Sequence, residues 1–173
     1  MSPIVKKAQE FASFHHRSIN QLRKYTGEPY IVHPSAVAKI VSSVSHTDAM
    51  LAAAWLHDTV EDTHATLEMI KQEFGDEIAS LVEMLTDVST PTDGNRAKRK
   101  AIDGTHTKKA SAAAKTVKLA DLIHNSESIL KHDAQFAKVY IREKAELLKV
   151  LSEGDPILYA RASAIVEKYR RKN

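Results

Sequence analysis

The stretch Ala52-Ala53-Ala54-Trp55-Leu56-His57-Asp58-Thr59-Val60-Glu61-Asp62-Thr63 decides how the chain is read. Leu51, Ala54, Trp55 and Asp58 recur at i, i+3, i+4 and i+7, the spacing of one buried helix face. A carboxylate on such a face is costly unless a cation meets it. The adjoining His57 points to a metal as that cation. If the helix continues, Glu61 lies one turn beyond His57, and Asp62 follows it. Acid, base and ligand chemistry are then crowded into one short segment.

The flanking sequence reads as helix after helix. Ile4, Ala8, Phe11 and Ala12 form one apolar stripe, and Val37, Ile40, Val41 and Val44 form another after Pro34. Ile78, Leu81, Val82 and Leu85 follow a break at Phe74-Gly75, and Leu158, Ala162, Ile165, Val166 and Tyr169 follow Asp155-Pro156. No segment alternates with a two-residue period between hairpin signals. The expectation is an all-α fold, a compact helical bundle, with residues 1–173 forming a single domain. The polar, basic stretch from Pro91 to Lys100 reads as a mobile loop leading into a helix.

Composition narrows the function classes. With no cysteine, the chain has no disulfide, no thiolate metal site and no cysteine nucleophile. The start of the sequence is charged throughout and lacks a signal-peptide run, and no stretch has the apolar length of a membrane span. A cytoplasmic protein with no membrane partner is expected. The net charge of +3 is mild, and a nucleic-acid binder usually carries a larger excess, so no nucleic-acid partner is expected. Local basic runs suffice for a phosphate-rich small molecule. The oligomeric state is not legible.

A second carboxylate interrupts an apolar helix in Lys118-Leu119-Ala120-Asp121-Leu122-Ile123-His124-Asn125. Asp121 and Asn125 are one turn apart on the same side. If Asp58 and Asp121 face each other, they require a proton or a shared cation. His33, beside Pro34 in Gly27-Glu28-Pro29-Tyr30-Ile31-Val32-His33-Pro34, adds a further imidazole. Two histidines and two aspartates suit manganese, iron, zinc or another divalent first-row ion. Simpler readings stand beside this one: His33 bonded to backbone, His57-Asp58 as a buried ion pair, and Glu61 and Asp62 as helix-end charges. His15, His16, His46, His64, His106 and His132 are read as surface histidines.

The segments GEPYIVHPSAVAKIV, AAAWLHDTVEDT, EFGDEIASLVEMLTD and TVKLADLIHN, in this order, resemble the HD-domain phosphohydrolases. Within them they are most similar to the hydrolase domain of RelA/SpoT homologues and to stand-alone small alarmone hydrolases. The resemblance implies that His33, His57, Asp58 and Asp121 hold a metal, usually manganese, and that Glu61 and Asp62 assist the attacking water. It implies a guanosine tetra- or pentaphosphate substrate, (p)ppGpp, hydrolysed at its 3′-pyrophosphate to GDP or GTP. Arg23, Lys24 and Asn125 match its substrate contacts, and Lys98 and Arg142 are weaker matches for distal phosphates. Glu127 departs from the pattern, which often has arginine there. Alternatives within the resemblance are 2′-dephosphorylation of NADPH and alarmone binding without turnover.

Overall fold

Alanine dominates the helix at the centre of the first unit. In the computed structural model, which describes residues 1–173, the chain divides into two compact units, Met1–Thr86 and Asp87–Asn173. In the first, α1 (Pro3–Ser18), α2 (Val32–Ser42), α3 (Asp48–Leu56), α4 (Thr59–Asp62), α5 (Leu67–Phe74) and α6 (Asp76–Leu85) follow in order. Ala52, Ala53, Ala54 and Leu56 of α3 are fully buried. A helix apolar on every side belongs inside, and α1, α2 and α6 all pack on α3. Thr47 Oγ1 caps it by accepting from Met50 N at 3.2 Å.

The helix expected to run through His57 instead stops at Leu56. Two side chains compete for its last carbonyls. His57 Nδ1 donates to Ala54 O at 2.7 Å, and Thr59 Oγ1 donates to Leu56 O at 2.7 Å. These bonds satisfy groups that a helix end leaves without partners. Asp58 then stands at the head of the four-residue α4. His33 lies inside the first turn of α2, directly before Pro34.

The connection from α1 to α2 is built on one residue in the left-handed region. Asn20 has φ +51°, and asparagine tolerates this conformation better than other side-chain-bearing residues. Its N–H donates to Arg17 O at 2.9 Å, and Gln21 N–H donates to His16 O at 3.1 Å. The pair closes α1 as a Schellman motif. The loop beyond is laced by Tyr30 N to Gln21 O at 3.0 Å and Arg23 N to Glu28 O at 2.8 Å. Gly27, at φ +71°, turns its tip.

The second unit contains a 3₁₀ turn (Pro91–Asp93), α7 (Arg96–Lys108), α8 (Ala112–His132), α9 (Ala134–Leu148) and α10 (Pro156–Lys172). The loop expected to run to Lys100 is thus already helical from Arg96, because Asn95 Oδ1 accepts from Lys98 N at 3.0 Å and caps the helix. Arg96 makes two bonds to Glu143, at 2.6 and 3.0 Å. Asp103 anchors the incoming segment by accepting from Val88 N, Ser89 N and Ser89 Oγ. α8 packs against α9 and α10 and is buried over most of its surface. A Cβ on Gly154 would lie 2.7 Å from Leu119 Cδ1, so only glycine lets the turn before α10 lie this close to α8. The all-α expectation is borne out.

Candidate active site

Two of the sequence-predicted histidines and one aspartate converge. His33 and His57 are almost fully buried, at 0% and 2% exposure. One ligand atom from each of His33, His57 and Asp58 lies within 4.8 Å of the others. Asp58 Oδ2 is 3.0 Å from His57 Nε2 and 3.5 Å from His33 Nε2. Tyr30 Oη donates to the same oxygen at 2.5 Å.

This donor set fits a divalent ion. A carbonyl only accepts, so the bond from His57 Nδ1 to Ala54 O assigns the Nδ1 proton. In the neutral ring, Nε2 then presents a lone pair towards the carboxylate. Such a tautomer, held by a backbone carbonyl, is how metal-binding histidines are usually prepared. Mixed imidazole and carboxylate ligands suit first-row divalent ions.

Glu61 and Asp62 are the last two residues of α4. Asp62 Oδ2 accepts from Gln21 Nε2 at 2.9 Å. Partial burial, and then repulsion from Asp58, raise the Asp62 carboxyl above its ordinary range. The Arg23 guanidinium lies 5.8 Å over the Tyr30 ring, while Lys24 is exposed and lies over Tyr25.

The sequence reading missed three participants here. Tyr30 and Gln21 carry no sequence signal for this role, and His16 is expected at the surface. His16 is in fact 1% exposed, and its ring centroid is 4.8 Å from that of Tyr30. The doublet His15-His16 at the end of a helix stripe carries no signal that tells which imidazole turns inward. His15 is buried too, at 8% exposure, against the surface expectation, with Phe11 and Phe14 beside it.

The remaining predicted residues lie in the second unit. Asp121 is 9% exposed, accepts from Asn125 Nδ2 at 2.7 Å and has Lys118 Nζ at 3.6 Å. Asn125 and Asp121 share a face of α8, as their spacing predicts. Glu127, the departure from the resembled pattern, pairs with Arg161 at 3.0 Å. Arg142 lines a cavity of about 450 Å³ together with Lys100, Lys118 and Lys144. Lys98 is not among its lining residues; from the same basic run, Lys100 is. Burial, and then repulsion from Lys118 and Lys100, push the Lys144 ammonium down to about 8. Lys144 was invisible to the sequence reading because it sits amid the mixed charges of α9.

The HD domain model matches residues 8–151. A guanosine-3′,5′-bis(diphosphate) 3′-pyrophosphohydrolase MESH1 from Xenopus tropicalis is 35% identical over 164 residues, which cover 90% of this chain and 88% of that protein. A probable GTP pyrophosphokinase of Mycobacterium leprae is 39% identical over 152 residues, and the chain spans only 19% of its length. A solved structure described as a metazoan ortholog of SpoT that hydrolyzes ppGpp and plays a role in starvation responses aligns with a TM-score of 0.87 at 27% identity, covering 98% of this chain and 97% of that one. With the model match running through most of the sequence and the Xenopus relative covered nearly end to end, the chain belongs to the HD-domain family.

Proposed function

We propose that the protein hydrolyses the 3′-pyrophosphate of guanosine tetra- and pentaphosphate, releasing pyrophosphate and GDP or GTP. The observation that carries this reading is the convergence of His33, His57 and Asp58. The activities of the Xenopus relative and of the metazoan SpoT ortholog support the substrate. We assign Asp121 as the fourth ligand and manganese as the ion. The family match runs from the first unit into the second, which supports reading the whole chain as one hydrolase domain. A cytoplasmic setting belongs to the same proposal.

When bound, a divalent ion acidifies water and withdraws charge from a phosphoryl oxygen. The chain does the rest. His57 is held ready by Ala54 O, and Tyr30 fixes the Asp58 carboxylate. Asp62, made more basic by its surroundings, takes the proton of the attacking water, with Glu61 beside it. The water oxygen bonds to the phosphorus on O3′ as the P–O3′ bond breaks; O3′ leaves with the bonding pair and takes up a proton from solvent, while Asp62 returns the water's proton to solvent. Arg23, Lys24 and Asn125 hold the nucleoside end, while Arg142 and its neighbouring lysines, with Lys98 nearby in sequence, receive phosphate charge.

The test is purified protein with manganese, assayed for pyrophosphate release from ppGpp beside NADPH and a set of dNTPs. Release from ppGpp, abolished by chelator, is the expected result. Product from NADPH or a dNTP alone reassigns the substrate. Tight ppGpp binding without turnover makes the protein a sensor.

A further inference from the structure

His16 has no part in the chemistry assigned so far, yet it is the most buried imidazole outside the His33, His57 and Asp58 cluster. Its Nδ1 is 2.7 Å from Gln21 Oε1, and Gln21 Nε2 is 2.9 Å from Asp62 Oδ2. The two side chains meet, although five residues apart, because the Schellman closure at Asn20 folds Gln21 back over the end of α1. The chemistry of the three groups permits one arrangement. An ionised carboxylate only accepts, so the amide must present its NH2 to Asp62. Its oxygen then faces His16, whose Nδ1 must carry the proton. Turning the amide over sets Gln21 Oε1 against the Asp62 carboxylate and loses that bond. His16 Nε2 is buried without a hydrogen-bond partner, in keeping with a neutral ring protonated on Nδ1.

We propose that His16 and Gln21 form a positioning relay that locks the Asp62 carboxylate in one orientation, engaging Oδ2 and leaving Oδ1 to meet the attacking water. The inference rests on the hydrolase reading for its consequence, but not for its geometry. His16 acts through Gln21 and touches no reacting atom. Its ring also lies against Tyr30, which bonds Asp58. His16→Phe therefore separates the two contacts: the ring stays and the Nδ1 donor goes.

The experiment compares wild type, Gln21→Met, His16→Phe and the double variant, each loaded with manganese. Each single variant is expected to lower kcat by about tenfold or more, with KM and manganese content unchanged. The double variant falls no further than the worse single, because both remove the same device. Wild-type kcat in either single variant, or losses that multiply, overturn the relay. A second measurement is independent of turnover and of variant folding. Long-range ¹H–¹⁵N spectra of the metal-free wild type should show His16 as the Nδ1-protonated tautomer, and the Nε2-protonated tautomer overturns the proposal. If wild type releases no pyrophosphate from ppGpp, the substrate reading fails, and the tautomer alone decides the relay.

Discussion

The two units gather charge by opposite means. Met1–Thr86 uses short side chains, each held by one fixed partner: His57 by a helix-end carbonyl, Asp58 by the Tyr30 hydroxyl, Asp62 by the Gln21 amide. Asp87–Asn173 uses long ones, with Lys100, Lys118, Arg142 and Lys144 around one cavity that Asp87, Asp103, Glu143 and Glu146 also line. Short groups on fixed anchors create a point of defined geometry, as a metal requires. Long cationic stems create a field that adapts to a flexible anion, and no single member decides it. Substitutions in the first unit should therefore fail abruptly, and those in the second gradually.

The largest effect belongs to the trio. His57→Ala or Asp58→Ala should leave no manganese above background by elemental analysis, and no measurable hydrolysis. Asp121→Ala should do the same; manganese content equal to wild type would remove Asp121 from the ligand set. Next come Glu61→Gln and Asp62→Asn. Each should retain manganese while kcat drops by about 10² to 10⁴, measured by pyrophosphate release.

A smaller, graded effect is expected at Lys144. Lys144→Met should raise KM about tenfold while manganese content stays constant, the loss of one charge-assisted contact. Its effect on stability has the opposite sign. The ammonium sits near 8 in the folded protein, against an ordinary 10.5. Burial, and then Lys118 and Lys100, push it down, and Asp121 and Glu143 partly offset them. Between those two values the unfolded chain binds more protons, so stability rises with pH across that window. Below pH 8 the penalty is fully present, and Lys144→Met should relieve it by on the order of 2 kcal/mol. Thermal melts of wild type and variant should converge as pH approaches 10.5. The smallest effect is at the end of α1. Asn20→Val should cost about 1 kcal/mol and lower Tm by about 2–4 °C, whereas Asn20→Gly should leave Tm near wild type.

What was legible in the sequence follows from what pattern can encode. Helical periodicity exposed α2, α6, α8 and α10 because each buries one or more apolar stripes. It failed at α7, whose Arg96–Lys100 start is all polar or small and owes its first turn to the Asn95 cap. It overran at His57, where side-chain bonds to carbonyls, not hydrophobicity, end the helix. His33, His57 and Asp58 stood out because charge or imidazole on an apolar face is conspicuous. His16 and Gln21 did not, since their meeting depends on a backbone reversal at Asn20. Lys144 lay hidden because a lysine's burial is decided by its neighbours in space.

The loop between Gln21 and Tyr30 is tied at its base by two backbone bonds and bears Thr26 and Gly27 at an exposed tip. Lengthening a tethered loop costs little, growing only with the logarithm of its size. A short epitope or fluorophore-bearing peptide spliced between those two residues should leave both stems in register. The protein thus offers a graft point for a reporter on the loop that carries Tyr30, the partner of Asp58.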